Sequence, residues 1–244
     1  MLTRSSVMSL VAGTAVVWAA AAYAQPLPSD PTLVTGKLEN GLTYIVRRAS
    51  NPPGRAVMWV HLYTGSLNET DQQRGIAHYL EHMAFNGSAN FEPGSLVPYF
   101  QSLGMQFGRD QNAFTSFDQT TFQLSLPNVE DGTLGKGLTF FADVVGRLSL
   151  SPKEIESERG IIQEERRRGP SGRQRTAYYV LERMVPGSLY GLRIPIGTEE
   201  TIGSVQEKDF RDYYGKWYGA GNATMIVVAD TEPERVVKML TETF

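Results

Sequence analysis

The sequence predicts an α+β fold, and three features carry that expectation. Asn40-Gly41 stands between apolar runs in Lys37–Arg48, a strong hairpin signal, since both residues tolerate the backbone of a tight turn. Ala56–Tyr63 (AVMWVHLY) is apolar and β-rich and is expected to be a buried strand. Helical signatures follow, among them the Ile76/Leu80/Met83 stripe at i, i+4, i+7 and a capped start at Ser151-Pro152.

Taken in order, residues 1–24 read as a signal peptide. Arg4 supplies a positive n-region, Val7–Ala22 is mostly apolar, and Ala22-Tyr23-Ala24 is an A-x-A cleavage site before Gln25. The apolar run is shorter than the ~20 residues of a spanning helix and contains Ser9, Gly13 and Thr14. Export to the periplasm with cleavage is therefore expected over a retained anchor, with no stable membrane insertion afterwards. Residues 25–35 read as a flexible lead, and the domain proper is expected over 36–244.

Within it, a helix is expected over Gln73–Phe85, ended by Asn86-Gly87-Ser88 with glycine as the C′ residue. A second helix follows Glu92-Pro93 through Leu96, Tyr99 and Phe100 and stops at Gly104. Asn112–Pro127 reads as one or two strands. Leu134–Leu148 reads as helix in spite of Gly135, Gly137 and Gly146. The next helix is well marked: Ser151 is a good N-cap, Pro152 occupies N1, Glu154 at N3 completes a capping box, and Gly169-Pro170 ends it. Phe210–Trp217 is expected as helix, Ala223–Ala229 as strand and Glu232–Phe244 as a final helix.

Composition excludes several classes of function. Hydrophobic residues make up 41% and charged residues 20%, which describes a globular chain. The net charge of −3 argues against electrostatic binding to nucleic acid or an anionic membrane. With no cysteine there are no disulfides, thiolate ligands or cysteine nucleophile.

The chemistry concentrates at His78-Tyr79-Leu80-Glu81-His82. Positions i and i+4 share a helix face, so both imidazoles can address one metal ion with Glu81 beside them. H-x-x-E-H is the inverted form of the zincin motif, in which two histidines hold Zn²⁺ and the glutamate activates a water. Only three histidines occur in the chain, and two fall here. His61, in the strand, is assigned no metal role. A third protein ligand is missing from this helix, and a glutamate on a second packed helix can supply it. By spacing alone Glu154, Glu158, Glu164 and Glu165 are all candidates, with a solvated charged face as the alternative.

The blocks HYLEHMAFNGS, NAFTSFDQTT, EIESERGIIQEE, IGTEETI and DYYGKWYGAGNATMIVVAD make the chain resemble the pitrilysin/insulinase family of zinc peptidases, from about Gly36 to Phe244. The resemblance implies a two-layer sandwich, a largely antiparallel sheet covered by helices on one face. It implies His78, His82 and Glu165 as zinc ligands, Glu81 as general base, and Glu158 as a glutamate that supports activity without touching the metal. It also implies that Asn112 and Ala113 lie on an edge strand that pairs with an extended substrate peptide. One departure is visible: Glu165 follows His82 at a longer interval than the family usually shows, with part of the excess in Met105–Gln111.

The implied activity is zinc-dependent hydrolysis of unfolded or extended peptides. The competing expectation is a non-catalytic peptide-binding or structural subunit, although such members lose motif residues that this chain keeps. A single zinc-bearing pattern, in a family that builds a chamber from several homologous domains, implies further domains in the same chain or in a partner subunit.

Overall fold

The computed structural model describes residues 30–244, so the expected signal peptide and residues 25–29 lie outside it. Six strands form one sheet: β1 (Leu33–Lys37), β2 (Thr43–Arg48), β3 (Ala56–Leu62), β4 (Gln111–Thr115), β5 (Thr120–Leu126) and β6 (Ala223–Ala229). Their order is β1-β2-β6-β3-β5-β4. β3 runs antiparallel to both β6 and β5, and β4 antiparallel to β5, while β2 and β6 are parallel. The sheet is thus mostly antiparallel, with β4 on one edge.

Alternation along β3 decides which face is covered. Ala56, Met58, Val60 and Leu62 are buried, whereas Val57 and Trp59 remain 42% and 38% exposed. The strand expected to be buried is therefore buried along one face only. Met58 sits opposite Val227 on one side and Leu124 on the other, so the buried residues of three strands form one apolar layer.

Eight helices are present among the described residues: α1 (Ile76–Met83), α2 (Leu96–Ser102), α3 (Asp131–Gly146), α4 (Pro152–Arg168), α5 (Gly172–Met184), α6 (Glu199–Ser204), α7 (Glu207–Trp217) and α8 (Pro233–Thr243). α3 lies close on the sheet through Gly137, where a Cβ would stand only 3.2 Å from Met58 Sδ and 3.3 Å from a Leu126 methyl. The glycines that weaken the helical signal of this stretch thus include one that the packing requires. α1 buries Ile76, Leu80 and Met83, the stripe read from the sequence, and its Tyr79 ring meets Phe210 of α7 edge-on at 4.8 Å.

Several boundaries differ from expectation. Among the described residues the first regular element is β1, which starts at Leu33 within the expected flexible lead. α1 starts at Ile76 rather than Gln73, because Gly75 holds a left-handed φ of 96° that interrupts the helical path. It closes on Ala84, so Gly87 is not its C′ residue. α3 begins at Asp131 and ends at Gly146, short of Leu148, and α7 begins at Glu207. Ser151 caps α4 through the Glu154 amide, and Gly169 ends it as expected.

Neither α5 nor α6 is anticipated by the sequence reading. α5 carries a Ser171/Gln174 capping box and an apolar stripe of Ala177, Val180, Leu181 and Met184, yet it buries no residue.

Candidate metal centre

α1 presents His78 and His82 one turn apart, with ring centroids 4.7 Å from each other. α4 supplies the opposing wall. Its buried residues are Ile155 and Ile162, and Glu158 and Glu165 follow each of them at i+3, on the same side of the helix. The Tyr79 hydroxyl donates to the Ile155 carbonyl and ties the two helices together.

One ligand atom each from His78, His82 and Glu165 lies within 4.8 Å of the others. His78 Nε2 is 3.7 Å from Glu165 Oε1, and His82 Nε2 is 3.5 Å from Glu165 Oε2. Tetrahedral zinc at ~2.0–2.1 Å from each donor would hold them about 3.3 Å apart, so the cluster is close to a coordinating arrangement. Two imidazoles and a carboxylate, facing a cavity with room for water and substrate, are a donor set that suits a catalytic zinc ion.

Glu158 stands behind this triad. Its Oε1 accepts from His82 Nδ1 at 2.9 Å and its Oε2 from the Asn86 side-chain amide at 2.8 Å. Burial works to raise Glu158, but the bonds from His82 and Asn86 outweigh it and hold the carboxyl below its usual range. Burial would lower His82, yet Glu158 and Glu165 together raise it to about 9. His78 goes the other way, down to about 4, through burial and the neighbouring His82 charge.

Glu81 is 7% exposed, and its Oε2 accepts from the Thr115 hydroxyl at 2.6 Å. Burial pushes it up to about 7, against the pull of Thr115 and His82. A carboxyl poised there can exchange a proton near neutrality.

The cavity in front of these groups measures about 750 Å³. Asn112, Ala113 and Thr115 of β4 form one side of it; among the described strands β4 neighbours β5 alone, although its first residue, Gln111, also bridges to Phe107. The Met105–Gln111 stretch also reaches the cavity, where Phe107 meets Phe85 edge-on at 5.4 Å.

The structure brings together His78, Glu81, His82, Glu158, Glu165, Asn112 and Ala113 around one cavity. It leaves Glu164 outside, paired with Arg167 at 3.0 Å and Arg168 at 3.6 Å, and Glu154 beside Lys153 at 3.6 Å. His61 lies apart and meets Thr121 Oγ1 at 3.0 Å. Thr115 and Asn86 are not singled out by the sequence reading. Asn86 lies one turn beyond His82, a spacing that makes it a neighbour, whereas nothing local points from Thr115 to Glu81.

An α+β domain with a two-histidine, one-carboxylate cluster and a buried glutamate beside it defines the class, a candidate mononuclear metallohydrolase centre. The family model "Insulinase (Peptidase family M16)" matches residues 44–182, and "Peptidase M16 inactive domain" matches 204–244. The chain belongs to the insulinase family of peptidases, family M16.

Among its relatives, the "Probable zinc protease PqqL" of Haemophilus influenzae is 38% identical over 214 residues, covering 88% of this chain and 23% of the relative. The Escherichia coli protein of the same name is 34% identical over 217 residues, covering 89% and 23%. The crystal structure of the first half of the periplasmic protease PqqL from Escherichia coli superposes with a TM-score of 0.85 at 33% identity, over 90% of this chain and 47% of that one. The chain therefore spans about a quarter of the length of these curated relatives. Among the described residues no helix is long and apolar enough to cross a membrane.

Proposed function

We propose that this chain is the zinc-binding part of an endopeptidase that hydrolyses unfolded or extended peptides in the periplasm. The observation that carries the reading is the meeting of His78, His82 and Glu165 within 4.8 Å, with Glu81 alongside. Zn²⁺ held by these three side chains would polarise the scissile carbonyl and lower the pKa of an attacking water toward ~7. Glu81 takes the water's proton and hands it to the leaving amine, a role suited to a carboxyl raised to about 7. Glu158 keeps His82 in the orientation and tautomer that leave Nε2 toward the metal. Backbone groups at Asn112 and Ala113 receive the substrate as an added strand, so affinity comes from main-chain hydrogen bonds with little demand on sequence.

A periplasmic location is supported by the A-x-A-terminated leader and by the description of the Escherichia coli relative as periplasmic. Because the relatives are about four times longer, further domains are expected to close the cavity and position substrate. The test is turnover of a fluorogenic, unstructured peptide by the zinc-loaded chain, alone and with the remaining domains supplied. Feeble cleavage that rises on their addition, and is lost in Glu81→Gln, is expected. Zinc binding with no cleavage under either condition would favour a peptide-binding subunit instead.

A further inference from the structure

The residue with the most unusual setting outside the centre is Glu69, which is only 5% exposed. It lies six residues before Gly75, the N-cap position of α1, where glycine has no side chain to cap the helix. Glu69 does so from a distance. Its Oε2 accepts the Gly75 amide at 3.0 Å and its Oε1 the Ala77 amide at 2.9 Å. Two amide donors near the helix start are thereby satisfied, while burial pushes the Glu69 carboxyl up to about 8 against the pull of those two amides. Ala77 directly precedes His78.

The same corner is braced from behind by residues 193–201. Arg193, itself 5% exposed, donates through Nε to the Glu69 carbonyl at 3.2 Å and pairs with Asp71 at 2.7 Å. The Thr201 hydroxyl donates to the Arg74 carbonyl. Gly197 passes so close to Gly75 that a Cβ on it would stand 2.6 Å from the Gly75 Cα. The IGTEETI block of the sequence thus forms a support for the start of α1. A helix of eight residues is too short to set its own direction by propensity, so what grips its ends decides where its side chains point.

We propose that Glu69 is a positioning residue: the two oxygens of its buried carboxyl group fix the start of α1, and through it the placement of His78 and Glu81 for zinc binding and proton transfer. The proposal rests on the metallopeptidase reading only for its zinc consequence. Glu69→Gln replaces one of the two accepting oxygens by an NH₂ group, which cannot accept, so one of the two amides loses its partner. Groups that orient metal ligands from outside the coordination sphere typically change affinity by about 10–100-fold.

The experiment measures zinc affinity by chelator competition on this chain, and amide hydrogen exchange on the metal-free form. Glu69→Gln and the carboxyl-conserving Glu69→Asp are compared with Leu240→Ala, a core change on α8. Glu69→Gln is expected to weaken zinc binding about 10–100-fold and to lose exchange protection in Ile76–Met83 before the sheet does. Glu69→Asp should fall between it and the wild type, and decides the matter if the glutamine variant does not fold. Leu240→Ala should lower the melting temperature while leaving zinc affinity within about twofold of the wild type. Wild-type zinc affinity with unchanged α1 protection in either Glu69 variant overturns the proposal, as does an equal loss of zinc in Leu240→Ala. A wild-type chain that binds no zinc would instead sink the metallopeptidase reading, and hydrogen exchange would still decide whether Glu69 holds α1.

Discussion

His82 donates through Nδ1 to Glu158 at 2.9 Å, which leaves its Nε2 facing Glu165 at 3.5 Å. One ring thus joins a carboxylate outside the candidate metal cluster to a carboxylate within it. That relationship separates the two glutamates of α4 by position, although they lie on the same helix face.

If Glu165 is a ligand and Glu164 a surface residue paired with Arg167 and Arg168, their glutamine variants must differ sharply. Glu165→Gln is expected to lose most bound zinc, and Glu164→Gln to keep it. Metal analysis of the purified proteins checks this, and equal loss in both would show that the register of α4 is misassigned.

Glu81 is not among the three clustered donors and accepts from Thr115. Glu81→Gln should therefore retain zinc and lose hydrolysis by about 10²–10⁴-fold, the usual worth of a positioned acid–base group. Parallel loss of metal and activity would argue that Glu81 acts by holding the site together.

Thr115→Val removes a hydroxyl whose hydrogen bond favours the ionised form of Glu81. The carboxyl should then rise further above about 7, and less of it is available as a base at neutral pH. The acidic limb of the kcat/KM profile should move to higher pH, with activity recovering there. An unmoved limb combined with a uniform loss of rate would mean that Thr115 serves the substrate rather than Glu81.

Zinc affinity should depend on pH in a direction set by His82. Burial lowers this imidazole, but Glu158 and Glu165 prevail and raise it to about 9, so the metal-free ring is protonated at neutrality. Zinc must displace that proton, and affinity should climb about tenfold per pH unit between pH 6 and 8. In Glu158→Gln the ring loses a partner that raises it, so the climb should flatten. Isothermal titration at several pH values reads both slopes, and identical slopes would contradict the assigned coupling.

Much of this was legible in the sequence because local rules decide it. The H-x-x-E-H spacing places His78 and His82 together on any helix, and the Ile76/Leu80/Met83 stripe says which side of that helix packs inward. Ser151-Pro152 and Gly169 mark both ends of α4 by capping chemistry alone. The α+β class followed from the same local signals, and the covered-on-one-face sheet was implied by family resemblance.

What needed the tertiary structure was every choice between helices and strands distant in the chain. Spacing left Glu154, Glu158, Glu164 and Glu165 equivalent as partners; the packing of α4 on α1, through Tyr79 and Ile155, turns Glu158 and Glu165 toward the histidines and Glu164 toward Arg167. Thr115 reaches Glu81 only because β4 takes the sheet edge beside α1. Glu69 and Gly197 come to the start of α1 from opposite directions along the chain, and neither carries a local pattern that foretells it. Hydrogen bonds and close contacts across such separations depend on the fold as a whole, whereas helix periodicity and capping depend on a few neighbouring residues.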